Sequence, residues 1–173
     1  MRASLQTRHS LLVPVALHRH SRRRTALKPA PVTILLVEDD DIDAMTVKRG
    51  LAAAKIANPL VRAHDGVEAL EMLLGTQGKS KLKPPYLLLV DIRMPRLDGL
   101  GLLRAIRANP HLQRTVAFML STSDSDRDQA AAYDAHVAGY IVKSNARDQF
   151  VRLAHMLEYY LMIVSPPQLA STA

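Results

Sequence analysis

The chain has 173 residues, 48% of them hydrophobic and 23% charged, a length and balance that suit one well-buried domain rather than two. It contains no cysteine, which excludes disulfides and thiolate metal sites and agrees with a reducing cytoplasm; its longest apolar runs, about six residues, fall far short of the roughly 20 a membrane helix needs. The formal charge of +7 is unevenly placed: Arg2, Arg8, Arg19, Arg22, Arg23, Arg24 and Lys28 stand in an acid-free first thirty residues, so the remainder carries 16 basic and 16 acidic groups.

Residues 1–30 show no periodicity. The apolar stretch Leu11–Leu17 has the look of a weak signal-peptide core, but Pro14 interrupts it and no convincing cleavage site follows. The Arg22-Arg23-Arg24 triplet could attract nucleic acid by charge, yet no aromatic residues are interleaved with it. The segment reads as a disordered basic extension, with a cytoplasmic protein, no membrane contact and nucleic acid not the expected partner. One domain then spans 31–165, followed by a tail at 166–173.

From Pro31 onward, strand-like runs alternate with helix-periodic segments. The runs are Val32–Val37, Leu60–His64, Tyr86–Val90, Val116–Leu120 and Gly139–Val142, and the expected helices cover Ile42–Ala57, Gly66–Leu74, Leu100–Ala108, Asp126–Ala138 and Ala146–Val164. VTILLV and LLLV are continuously apolar, as strands covered by helices on both faces require. The expected fold is therefore α/β: a doubly wound parallel sheet of five βα units, with Gly75–Pro85 as a long polar connection and Asn109-Pro110 ending the third helix.

Parallel strands end at one edge, so chemistry at their carboxyl ends converges there. The first run ends in Glu38-Asp39-Asp40-Asp41-Ile42-Asp43, five carboxylates in six positions, and the others end in Asp91, Ser121-Thr122 and Lys143. Crowded carboxylates call for a cation. Glu38, Asp39 and Asp91 suit an oxygen-loving ion such as Mg²⁺, Lys143 suits a phosphate, and Asp91 is positioned to accept a phosphoryl group as an acyl phosphate. Asp40, Asp41 and Asp43 read instead as acids of a first helical turn, stabilised by its dipole. Asp39-x-Asp41-x-Asp43 imitates an EF-hand start, but Ala44 and Gly50 replace the glycine and glutamate such a loop needs, so calcium is not expected.

The motifs ILLVEDDDIDA, DGVEAL, LLLVDIRMPRLDG, LSTSDSD and GYIVK, in this order, make the chain resemble a response-regulator receiver domain over about residues 32–162. VEDDDIDA, the long loop before the third strand and LSTSDSDRD bring it nearest to the single-domain regulators partnered with phytochrome-type histidine kinases. The resemblance implies a flavodoxin-like sheet of order 2-1-3-4-5, Asp91 as phospho-acceptor and Mg²⁺ held by Glu38, Asp39, Asp91 and the backbone carbonyl of Arg93. It also implies Ser121 as switch hydroxyl, Tyr140 as switch aromatic, with simple packing as the alternative, and Lys143 as the site lysine. Ser144 stands where receivers usually carry proline, and Thr122 is larger than the alanine or glycine common at its position.

The expected function is a stand-alone regulator that takes a phosphoryl group from a histidine kinase and catalyses only its own phosphorylation and dephosphorylation. Two alternatives remain: a phosphorylation-independent adaptor, and an aspartyl phosphatase, for which Arg93 stands where a second aspartate is needed. Phe150, Leu153, Ala154, Leu157, Leu161 and Val164 form one apolar stripe on the last helix, while Met156, Tyr159, Met162 and Ile163 fall opposite. That second set, with the resemblance, predicts a homodimer through the fourth helix, fifth strand and fifth helix.

Overall fold

A computed structural model of the chain describes residues 31–122, 125–143 and 147–163, with the side chains of 147–151, 162 and 163 outside that description. In chain order the elements are β1 (Thr33–Val37), α1 (Asp41–Ala53), β2 (Leu60–Ala63), α2 (Gly66–Leu74), β3 (Tyr86–Asp91), α3 (Gly99–Ala108), β4 (Val116–Ser121), α4 (Asp126–Asp134), β5 (Gly139–Val142) and α5 (Arg147–Ile163). All four strand pairings are parallel and the order is β2-β1-β3-β4-β5, the expected flavodoxin-like arrangement.

The apolar strand runs are explained by two cores, one on each face of the sheet. Leu35, Val37, Leu88, Val90, Ala117 and Met119 pack with side chains of α2, α3 and α4, whereas Ile34, Leu36, Leu87, Leu89, Phe118 and Leu120 pack with α1 and α5. Successive residues alternate between the cores because successive side chains in a strand point to opposite faces. Phe118 adds an edge-to-face contact with Tyr160 of α5, ring centroids 5.3 Å apart.

Helix starts follow their caps. Asp40 accepts from the amides of Ile42 and Asp43, Asp65 from those of Val67 and Glu68, Asp98 from Gly101, and Ser125 from Asp128. Two helix ends differ from expectation. α1 stops at Ala53 rather than Ala57 and α4 at Asp134 rather than Ala138. Just beyond them Lys55 (φ 57°) and His136 (φ 55°) adopt the left-handed conformation that usually belongs to glycine. The connection from Gly75 to Pro85 is tied down at two points: Lys79 reaches Glu68 at 2.7 Å, and the Leu82 amide donates to the Met72 carbonyl.

The expectations for 1–30 and for the tail 166–173 lie outside the described residues, as does Ser144. So do those for the Phe150, Met162, Ile163 and Val164 side chains.

Candidate functional site

The ends of β1, β3, β4 and β5 meet at the carboxyl edge of the sheet. Glu38 follows β1 and its amide donates to Ala63 of β2 at 3.0 Å. Asp91 closes β3, Ser121 closes β4, and Lys143 follows β5 with its amide donating to the Ser121 carbonyl at 2.5 Å. Glu38, Asp91 and Ser121 are buried, whereas Asp39 is exposed. The start of α3 lies close behind the acceptor strand: a Cβ at Gly99 would come within 2.2 Å of the Asp91 carbonyl oxygen, so only glycine fits there.

Carboxylate oxygens of Glu38, Asp39 and Asp91 lie within 4.8 Å of one another. Lys143 bridges this group: its Nζ stands 2.6 Å from Glu38 Oε2, 2.6 Å from Asp91 Oδ1 and 2.8 Å from Asp43 Oδ2. The ammonium has three donors and all are engaged. The Arg93 amide donates to the other Asp91 oxygen, Oδ2, at 2.7 Å, so both acceptor oxygens are held in place.

Burial pushes the Glu38 carboxyl up to about 7, with the Asp91 charge acting in the same sense, and the hydrogen bond and charge of Lys143 offset only part of this. For Lys143, burial alone would lower the pKa, but the hydrogen bonds it donates to Asp43, Asp91 and Glu38 outweigh it and hold the ammonium above its ordinary value. The edge therefore carries more negative charge than its one lysine neutralises. Oxygen donors of this kind suit a hard divalent cation.

Several placements go beyond the sequence reading. Asp43, read as a first-turn acid, is also the third partner of Lys143. Arg62 of β2 crosses to the β1–α1 turn, donating to the Glu38 and Asp39 carbonyls and to Asp41. Arg96, itself left-handed at φ 63°, donates through Nε to Oδ2 of the buried Asp65 at 2.7 Å and through Nη2 to the same oxygen. This joins the loop after the acceptor to the start of α2. Long side chains make these links across tens of residues, and no local sequence signal announces them. Tyr140 is half-buried on β5 and packs against the α2–α3–α4 core. Met156, expected on an outer face of α5, is instead half-buried against the α1–α5 core, because α5 turns that side partly toward the sheet. Tyr159 is exposed, at 62%.

Residues 34–155 match the family described as response regulator receiver domain. The chain belongs to that family. Among its relatives, response regulator Rcp1 of Synechocystis sp. is 35% identical over 139 residues, which cover 79% of this chain and 94% of Rcp1. The crystal structure of the Mn²⁺-bound form of Rcp1 superposes with a TM-score of 0.72 at 33% identity, covering 79% of this chain and 99% of that one. The phosphorylated cyanobacterial phytochrome response regulator RcpA gives 0.73 at 31% identity, covering 80% and 100%. This receiver is thus related to phytochrome response regulators, and its acidic group is of the kind with which receivers bind a divalent metal. No described helix is long and apolar enough to cross a membrane.

Proposed function

We propose that this receiver is a cytoplasmic phosphorylation switch that accepts a phosphoryl group on Asp91 from a phytochrome-type histidine kinase, with Mg²⁺ as cofactor. The observation that carries the reading is the Lys143 ammonium 2.6 Å from both Asp91 and Glu38, inside a cluster of three converging carboxylates. A carboxylate with no other duty would not be buried among like charges at a strand end.

In the proposed reaction, an Asp91 carboxylate oxygen attacks phosphorus and the P–N bond to the kinase imidazole breaks. The imidazole leaves with the bonding pair, and the product is an acyl phosphate. Glu38, Asp39, Asp91 and the Arg93 carbonyl would hold Mg²⁺, which when bound would supply positive charge to offset the charge of the phosphoryl oxygens. The Lys143 ammonium binds one of those oxygens and the Ser121 hydroxyl another. Movement of Ser121 toward the phosphoryl group leaves room for Tyr140 to turn, which alters the face made by α4, β5 and α5. Exposed Tyr159 on α5, together with Met162 and Ile163, belongs to the proposed homodimer interface on that face.

The test is incubation with Mg²⁺ and a small acyl phosphate, followed by intact mass. One added phosphoryl group is expected on the wild type and none on Asp91→Asn; modification that persists in Asp91→Asn contradicts the assignment. For the interface, sedimentation equilibrium should give a dimer at micromolar concentration and a folded monomer for Tyr159→Asp.

A further inference from the structure

Arg62 belongs to β2, opposite Leu36 of β1, and takes no part in the site chemistry described above. Its guanidinium nevertheless leaves its own strand and closes over the β1–α1 turn. Nε donates to the Glu38 carbonyl at 2.9 Å, Nη2 to the Asp39 carbonyl at 3.0 Å, and Nη1 to Asp41 Oδ1 at 2.5 Å. The two residues whose carboxylates face Asp91 across the site are therefore both gripped, through their main chain, by a single side chain.

We propose that Arg62 is a positioning residue of the cation site, holding the β1–α1 turn in the shape that brings the Glu38 and Asp39 carboxylates onto Asp91. The inference rests on reading Glu38, Asp39 and Asp91 as cation ligands. Three carboxylates within 4.8 Å repel one another, and the turn that carries two of them is a short, irregular link between β1 and α1. Other ties act nearby but leave Asp39 aside: the Glu38 amide bonds to Ala63, and Asp40 caps α1. Arg62 reaches the Asp39 backbone itself. By occupying the Glu38 and Asp39 carbonyls it also aims them at β2, so that these two residues meet a cation with side chains and not with main chain.

The role depends on the shape of arginine. A planar fork of five donors can satisfy two carbonyls and a carboxylate at once, whereas an ammonium is a point charge that cannot span three acceptors in this way. Arg62 is held on its other side by the sheet, since β2 pairs with β1 from Leu60 to Ala63. The side chain is thus a strut from a rigid strand to the turn, and it acts on cation affinity without touching the ion.

The experiment compares the full-length wild type with Arg62→Ala, Arg62→Lys and Asp41→Asn. Mg²⁺ affinity is measured by calorimetry, and amide hydrogen exchange of Asp39 to Asp41 is followed in EDTA. Arg62→Ala should weaken Mg²⁺ binding about 10-fold and speed exchange in the turn in the metal-free protein. Arg62→Lys should recover less than half of that loss on a logarithmic scale, and Asp41→Asn, which leaves both carbonyl bonds in place, should stay within about twofold of wild type. Should Arg62→Ala fail to fold, Arg62→Lys carries the comparison. Affinity within twofold of wild type in both Arg62 variants, or complete rescue by lysine, overturns the positioning role while leaving the cation site intact. A wild type that binds no Mg²⁺ at all overturns the site reading and this inference together.

Discussion

Two cations drawn in from solvent stand at opposite edges of the same sheet, and their surroundings differ in kind. Lys143, at the carboxyl edge, is surrounded by the carboxylates of Glu38, Asp43 and Asp91. Arg107, on the last turn of α3 at the amino edge, meets no carboxylate in its hydrogen bonds among the described residues: its guanidinium donates to the carbonyls of Gln113, Thr115, Ala135 and His136 at 2.8–3.0 Å. Burial draws its pKa below the ordinary value, and the acceptors it meets are main-chain carbonyls. Arg107 ties α3 to the loops before β4 and β5 and has nothing to exchange. Lys143 sits among negative charge that exceeds its own, an arrangement that a second cation can relieve. Fixed dipoles around a cation mark structure, and surplus charge around a cation marks a site built to change partners.

Substitution separates the two. Arg107→Met strands four carbonyls and should destabilise the fold by about 3 kcal/mol, equally in EDTA and in Mg²⁺, as read by urea denaturation. Lys143→Met should cost about 2 kcal/mol in EDTA, because Glu38 and Asp91 lose their buried partner, and part of that loss should return with Mg²⁺. An Mg²⁺-independent cost at Lys143 would make the two cations alike and break the comparison.

Much of this contrast could be read from the sequence. The continuously apolar VTILLV and LLLV runs demanded a covered parallel sheet, and the sheet in turn placed Glu38, Asp39, Asp91, Ser121 and Lys143 at one edge. Arg62, Arg96, the Asp43–Lys143 pair and the bonds from Arg107 to Ala135 and His136 stayed hidden because they run between elements far apart in the chain, where neither period nor spacing carries information. The ends of α1 and α4 were overrun because Lys55 and His136 take a conformation normally signalled by glycine, while Gly75, which does signal it, marked the end of α2 correctly. Met156 was misplaced for a related reason: a helix apolar nearly all round does not reveal from sequence how far its second face turns toward the core.

Smaller effects sharpen the same contrast. Asp39 is exposed and belongs to the crowded carboxylate group, so Asp39→Asn should raise the melting temperature in EDTA by about 2–4 °C while lowering Mg²⁺ affinity. A fall in EDTA would give Asp39 a structural role instead. Away from either edge cluster, Glu68 is drawn down to about 2, chiefly by its hydrogen bond to Lys79 and then by the His64 amide, from an ordinary 4.5. Since its folded value is depressed, the unfolded chain takes up the proton first. Its contribution is full above about pH 4.5 and disappears as pH falls toward about 2. Glu68→Gln should lower the melting temperature by about 2 °C at pH 7, with the difference from wild type closing below pH 4.5.

The surplus charge at the carboxyl edge is tested most directly by melting the wild type across a series of Mg²⁺ concentrations against an EDTA control. A cation that binds the folded chain alone stabilises it by about 2.7 kcal/mol at a hundred times its dissociation constant, so the melting temperature should climb by several degrees and keep climbing with log concentration. The climb should vanish when Asp39→Asn and Asp91→Asn are combined. Melting curves that coincide in EDTA and Mg²⁺, or a rise that survives in the double variant, would contradict the account.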